Sequence, residues 1–142
     1  MNDAVQRTAS VQLRTLSIDC SDPDELAAFY SRLLGWTIDR RGDVDSVSGR
    51  SGWVTLPNPT GGIGLAFGRT EWYEPPTWPE EPGALTKMMH FEVGVDDLAA
   101  AVEVAMSAGG SAARHRPTDH DADRIRVMFD PAGHPFCLFE LE

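Results

Sequence analysis

Two segments of this sequence follow the same order of a strand, a capping aspartate and a helix. In residues 87–110, the apolar residues Met89, Phe91, Val93 and Val95 alternate with polar residues or glycine. Asp97 then precedes an apolar helical stripe, as an N-terminal helix cap does. Residues 15–30 repeat this order, and Asp22 corresponds to Asp97 at an offset of 75 residues (97 − 22). We therefore predict two copies of one module that begins with a strand and a helix.

Each half continues with strand-like runs. After the first helix, which ends at Gly35, the pattern predicts strands at 36–40, 53–56 and 63–68, and the first strand itself spans about 11–20. After the second helix, which ends at Gly109, it predicts strands at 111–116, 124–130 and 136–141. Residues 130–133 have a type I turn signature before the last strand. The predicted class is α+β, with paired βαβββ modules.

Length and charge limit the function. A chain of 142 residues can form one domain with a sizeable core, so we predict a disordered tail at 1–10 and a single domain at 11–142. Within it, module one covers about 11–70, a connector covers 69–86 and module two covers about 87–142. A formal net charge of -10 argues against nucleic-acid partners and anionic membrane surfaces. The sequence contains no spanning apolar run and no signal-peptide pattern, and Cys20 and Cys137 read as reduced thiols, which predicts a cytoplasmic protein.

Polar residues on the first strand of each module are the candidate site residues. His90 and Glu92 share one face of their strand, because side chains two apart point the same way. His90 is either a general base or polar anchor tuned by Glu92, or a hydrogen-bonded wall histidine without chemistry. Asp19 of module one is a candidate for the same reason, and the strand face that carries it also carries Thr15. Cys137 is predicted to line the site as a small buried side chain and not as a nucleophile.

Aromatic residues among prolines distinguish the connector, and they are Trp72, Tyr73 and Trp78. They form either a wall or lid that stacks on a flat ligand, or a capping cluster over the core. An acidic loop near the C-terminus carries His115, Asp119, His120, Asp121 and Asp123, which we interpret as a solvated hairpin tip and not a metal site. His134, beside the Gly133 turn, is predicted to have a capping or turn role.

Four stretches together resemble the vicinal oxygen chelate (VOC) superfamily, which includes glyoxalases, bleomycin-resistance proteins and extradiol dioxygenases. These stretches are residues 22–36, the Pro-Pro-Thr-Trp-Pro connector at 75–79, residues 89–98 and the turn at 130–136. The similarity covers about residues 11–142 and is strongest to glyoxalase-like members of unknown function. It implies paired βαβββ modules whose strands curl into a cup with the helices outside, commonly completed in a homodimer.

Metal-dependent members of the superfamily hold a divalent ion with four His, Glu or Gln side chains. The resemblance places these ligand positions at Thr15, near Gly64, at His90 and near Cys137, where only His90 is an unambiguous ligand type and Cys137 stands where a Glu would be expected. We therefore predict no cofactor, with Zn, Ni, Mn or Fe at His90 as the alternative.

Three functions follow from the resemblance. The first is a protein that binds a small planar or aromatic metabolite in the cup, with or without metal-independent chemistry. The second is a divalent-metal lyase or dioxygenase of the glyoxalase type, and the third is a resistance protein that sequesters a toxic small molecule. If the protein is an enzyme, the resemblance implies a lyase, isomerase or dioxygenase.

Overall fold

The computed structural model describes residues 9–114 and 123–142. The elements of module one are β1 (Thr15–Cys20), α1 (Pro23–Leu34), β2 (Arg40–Gly42), β3 (Trp53–Leu56) and β4 (Gly64–Arg69). Those of module two are β5 (Glu92–Val95), α2 (Leu98–Ser107), β6 (Ser111–Ala112), β7 (Ile125–Phe129) and β8 (Pro135–Glu140). The predicted α+β class is confirmed. None of the helices in these residues has the length and hydropathy needed to cross a bilayer.

The two modules have the same sheet topology. One sheet has the order β1-β4-β3-β2 and the other has the order β5-β8-β7-β6. In each sheet the first strand pairs parallel to the last, with Thr15 opposite Gly64 and Glu92 opposite Cys137, and the other pairs are antiparallel. The first strand of each module is consequently a sheet edge. The repeat predicted from the sequence is confirmed in strand order, and the two sheets form the curled, open arrangement expected of VOC modules.

The helices start where the sequence predicts. Asp22 accepts a hydrogen bond from the Glu25 amide at 3.2 Å, and Asp97 accepts one from the Ala100 amide at 3.1 Å. Both helices begin one residue later, at equivalent positions of the repeat. Gly35 ends α1 with φ of 74°, a left-handed conformation that favours glycine.

The core lies mainly around α1. Phe29 and Tyr30 are buried and their rings contact each other edge to face at 4.9 Å between centroids. Tyr30 also stacks on Phe67 of β4 at 5.7 Å and meets Phe91, just before β5, at 5.5 Å. One aromatic side chain thus packs against both modules, which places its hydroxyl near their junction.

Several predicted strand boundaries are wrong, and one of them is in module two, where β6 ends at Ala112 and not at 116. Val11 and Leu13 are exposed and β1 begins only at Thr15. Residues 36–39 are not a strand, because Trp36 and Ile38 pack against the core before β2 starts at Arg40. In module two the alternation holds from His90 to Val95, but Met89 is 75% exposed because pairing with β8 begins later, at Glu92.

Two predictions concern residues outside the described ranges. Residues 1–8 of the predicted tail lie there, and so does most of the acidic loop, including His115, Asp119, His120 and Asp121.

Candidate functional site

A cavity of about 440 Å³ lies between the two modules, and we call it the inter-module cavity. One wall comes from β1 and the other from residues 85–91, which lead into β5. Most of its wall is apolar, from Leu16, Ile18, Pro76, Leu85, Phe91 and Pro135, and Met88 and Met89 lie at its exposed edge. Its size and composition match those of small-molecule sites in proteins.

The polar end of the cavity is built around Asp130, whose side chain is completely buried. Its Oδ1 accepts hydrogen bonds from the amides of Ala132 at 2.9 Å and His134 at 3.0 Å. Its Oδ2 accepts the hydroxyl proton of Tyr30 at 2.7 Å, and Nδ1 of His134 lies 2.8 Å away. An acidic residue at the start of a tight turn can accept hydrogen bonds from the amides two and four residues later. Here the same carboxylate also contacts a hydroxyl group on α1 and an imidazole. Four donors satisfy this buried carboxylate.

His134 links the turn to the connector. Its Nε2 lies 3.2 Å from the Tyr73 hydroxyl, which also donates to the Ala132 carbonyl oxygen at 2.8 Å. The two rings are tilted at 51°, with 5.6 Å between centroids. A continuous series of polar contacts therefore runs from Tyr30 through Asp130 and His134 to Tyr73.

Burial and the nearby carboxylate keep the two phenols protonated. Burial, followed by the charge of Asp130, raises the pKa of Tyr73 to about 12 and that of Tyr30 well above its usual value. Burial also raises the pKa of the Cys20 thiol to about 12, and that of the Cys137 thiol above its usual value. Neither thiol is a reactive thiolate at neutral pH, in agreement with the discounting of Cys137 as a nucleophile.

The connector also packs against the turn near His134. A Cβ added to Gly133, which has φ of 91°, would lie 2.8 Å from Cβ of Pro75. Trp78 packs edge to face on Phe129, with 6.5 Å between ring centroids. The connector is thus held along the β7–β8 corner, and from there Glu74, Pro76, Leu85 and Thr86 line the inter-module cavity.

The predicted site residues do not share one cavity. Asp19 and His90 line the inter-module cavity. Glu92 and Cys137 line a separate open surface of module two, of about 500 Å³. Thr15 lies on an open surface of module one, of about 790 Å³. That all five side chains line one cup stays a prediction.

His90 and Glu92 do lie on one side of their strand, with 3.6 Å between Nε2 and Oε1. The Glu92 side chain is 68% exposed, so this contact is a weakly held surface pair. The general-base role proposed for the two residues stays a prediction. The aromatic lid stays one too, although Trp72 is 85% exposed and none of the three aromatic side chains is part of the cavity wall.

Several residues of this cavity had no predicted role in a site. Tyr30 lay in a predicted helix, Asp130 in a predicted turn and Lys87 at the start of a predicted strand. The available signal was the Asp-Pro-Ala-Gly-His order, which places a histidine four residues after an aspartate across a tight turn. Such spacing lets one carboxylate bond both the turn and the imidazole.

The residues do not fit the metal site of metal-dependent relatives. Within residues 9–114 and 123–142, no group of three or more His, Cys, Asp or Glu side chains could hold a metal ion. Sheet register pairs Cys137 with Glu92.

Two βαβββ modules joined by one buried core define the VOC fold. A model of the glyoxalase-like domain matches residues 15–139, and the chain belongs to this family within the VOC superfamily. The comparison with curated proteins found no significant match.

Solved structures share the fold at low sequence identity. A glyoxalase/bleomycin resistance protein/dioxygenase family enzyme from Burkholderia phytofirmans PsJN has a TM-score of 0.64 and 18% identity, covering 93% of this chain and 100% of that one. A glyoxalase-related enzyme from Fulvimarina pelagi has a TM-score of 0.63 and 17% identity, covering 92% and 88%. TnmS3, an antibiotic binding protein from Streptomyces sp. CB03234, has a TM-score of 0.57 and 18% identity, covering 96% and 100%.

Proposed function

We propose that this protein binds a small planar or aromatic metabolite in the inter-module cavity. The observation that carries the proposal is the wall itself, which is apolar along β1 and residues 85–91 and polar at a few positions. Burying a flat apolar ligand against Ile18 and Phe91 would supply the binding energy, and polar side chains would set its orientation.

His90 is the proposed polar anchor for the ligand. It lines the cavity, and its side chain is 31% exposed, so a bound molecule can reach it. Asp130 is a poor candidate, because four donors already occupy its carboxylate oxygens. Glu92 would act on the ligand only through His90, since it lines the open surface of module two and not this cavity.

Sequestration of the ligand without turnover is the second candidate. TnmS3, which shares the fold, is described as an antibiotic binding protein. An apolar cavity edged by exposed Met88 and Met89 suits such a role, because flexible thioether side chains adapt to ligands of different shape. This reading needs no metal, in line with the donor set described above.

The proposal includes a homodimer in the cytoplasm with no nucleic-acid partner. The open surface of module one carries Arg14, Arg40 and Asp39 and is net positive, and that of module two carries Glu92, Glu140, Glu142 and Arg124 and is net negative. Opposite charges would let each surface receive the other from a second copy, in two equivalent contacts. Both cysteines are free, as a reducing compartment favours.

A cavity-filling variant tests the binding proposal. N-phenyl-1-naphthylamine, a neutral aromatic dye, should bind the protein with increased fluorescence. Ser17→Phe would put a ring into the cavity from exposed β1 and should abolish this signal. Ser107→Phe, at the exposed end of α2, is the matched control and should bind as the parent does. Equal dye binding by both variants would refute the proposed site.

A further inference from the structure

The hydroxyl of Tyr73 makes two contacts that its single proton cannot serve alone. It lies 2.8 Å from the carbonyl oxygen of Ala132 and 3.2 Å from Nε2 of His134. A carbonyl oxygen only accepts, so Tyr73 donates its proton to Ala132. The contact with His134 is then a hydrogen bond only if Nε2 carries a proton and donates it to the phenol oxygen.

Asp130 determines the state of the other ring nitrogen. Nδ1 of His134 lies 2.8 Å and 3.0 Å from the two carboxylate oxygens, and an ionised carboxylate only accepts. Nδ1 therefore carries a proton as well. Only the doubly protonated ring can make all of these hydrogen bonds. In a neutral ring with its proton on Nδ1, the lone pair of Nε2 either faces the phenol oxygen of Tyr73 or accepts the Tyr73 proton. In the second case the hydrogen bond from Tyr73 to Ala132 is lost.

We propose that Tyr73 and His134 are positioning residues which hold the connector wall of the inter-module cavity, and that protonation of His134 tightens this hold. The inference rests on the proposed ligand-binding function. Tyr73 directly precedes Glu74, the first connector residue in the cavity wall, and Pro76 follows two residues later. Loosening Tyr73 would let this wall move away from the ligand and would weaken binding.

Several other titratable groups face this pair and must be separated from it. Tyr30 reaches it through Asp130, Asp19 and Cys20 of β1 act on Tyr73, and Glu74, Lys87 and His90 line the same cavity. The phenols of Tyr30 and Tyr73 and the thiol of Cys20 keep their protons between pH 5.5 and 8.5, because burial raises each pKa. A His90→Gln variant removes the other imidazole of the cavity, so any pH dependence that remains comes from a different group.

Two replacements of His134 mimic its two nitrogens without titrating. His134→Gln offers an N–H near the position of Nε2 at every pH and should keep the bond to Tyr73. His134→Asn offers an N–H near the position of Nδ1 only, so it should keep the bond to Asp130 but lose the bond to Tyr73. The parent should bind N-phenyl-1-naphthylamine about two- to tenfold more tightly at pH 5.5 than at pH 8.5, the range expected for one net hydrogen bond.

At both pH values, the Gln variant should match the parent at pH 5.5, and the Asn variant should match the parent at pH 8.5. His90→Gln should retain the parent's ratio, and Tyr73→Phe should remove it. A parent affinity that ignores pH, or Gln and Asn variants that bind alike, would overturn the inference.

A readout without ligand separates this inference from the proposed function. The Thr77 amide donates to the Leu85 carbonyl oxygen at 2.7 Å inside the connector, so its hydrogen exchange reports on the connector. Corrected for intrinsic rates, its protection should be two- to tenfold higher at pH 5.5 and in His134→Gln than in His134→Asn. If protection follows this order while no dye binds, the positioning role stands and the proposed function fails. If dye binds but protection is equal in both variants and at both pH values, the positioning role fails alone.

Discussion

The hydroxyl of Tyr30 donates a 2.7 Å hydrogen bond to the buried carboxylate of Asp130, joining residues 100 positions apart in the chain. Tyr30 lies on α1 of module one and Asp130 precedes the last strand of module two. The bond therefore connects the two modules at the polar end of the inter-module cavity. We expect it to contribute to both folding and cavity shape.

Tyr30→Phe should destabilise the protein by about 1–3 kcal/mol, because it removes one donor from a buried charged acceptor while the ring stays in place. Urea denaturation at pH 7 measures this directly. A loss below about 0.5 kcal/mol, typical of surface substitutions, would show that the bond is not stabilising.

Asp24 should make the protein acid-sensitive. Burial alone raises the pKa of Asp24, but its hydrogen bonds with Arg41 at 2.8 Å and with the amide and hydroxyl of Ser51 at 2.8 Å and 3.0 Å outweigh burial and lower it. A lowered pKa in the folded state stabilises the protein above the unfolded value of about 3.9, and this stability is lost as pH falls through the folded value.

Unfolding free energies between about pH 3 and 6 test this prediction. The parent should lose stability below about pH 4 more steeply than Asp24→Asn. Asp39→Asn, at an exposed pair with Arg40, is the control and should follow the parent. Parallel curves for the parent and Asp24→Asn would contradict the role of Asp24.

Gly133 should tolerate a side chain less well than Gly83, although both have a left-handed backbone with φ of 91° and 80°. Alanine at either position costs about 1–2 kcal/mol in backbone strain. At Gly133 the added methyl also meets Pro75 at 2.8 Å, whereas at Gly83 it meets nothing within 4 Å. We expect an extra cost of about 1–3 kcal/mol for Gly133→Ala, together with weaker dye binding. Equal destabilisation would show that the connector does not rest on this turn.

The proposed homodimer should depend on charge. Light scattering should give twice the 15.5 kDa chain mass at micromolar concentration. Arg14→Glu with Arg40→Glu should shift the protein towards monomer, and adding Glu140→Arg with Glu142→Arg should restore the dimer. Arg50→Glu, on the exposed β2–β3 loop, should have no effect. A monomeric parent would refute the dimer, and a dimer unaffected by the double reversal would refute these surfaces.

The sequence predicted the fold well because its signals are local. Asp22 and Asp97 cap their helices by accepting hydrogen bonds from amides only three residues later, and Gly35 ends α1 through its own backbone conformation. The site depends on long-range packing instead. Tyr30, Tyr73 and His134 meet only after the two modules and the connector have packed together, and no spacing in the chain encodes that distance.

The same reason applies to the cavities that the predicted site residues line. His90 and Glu92 are two residues apart and do contact each other, as strand geometry predicts. His90 lines the inter-module cavity and Glu92 lines the open surface of module two, a difference that the strand pattern alone does not predict. A resemblance to paired modules predicts the strand order, but it leaves the relative orientation of the modules open.

The most direct test of the central claim is an NMR titration of the assigned, nitrogen-15-labelled protein with N-phenyl-1-naphthylamine. The account predicts saturable amide shifts that cluster at residues 16–19 and 85–91 and at Asp130 and His134, around the inter-module cavity. Shifts that cluster instead on the open surface of module two, at Cys137, Phe139 and Leu141, or no saturable shifts at all, would contradict it.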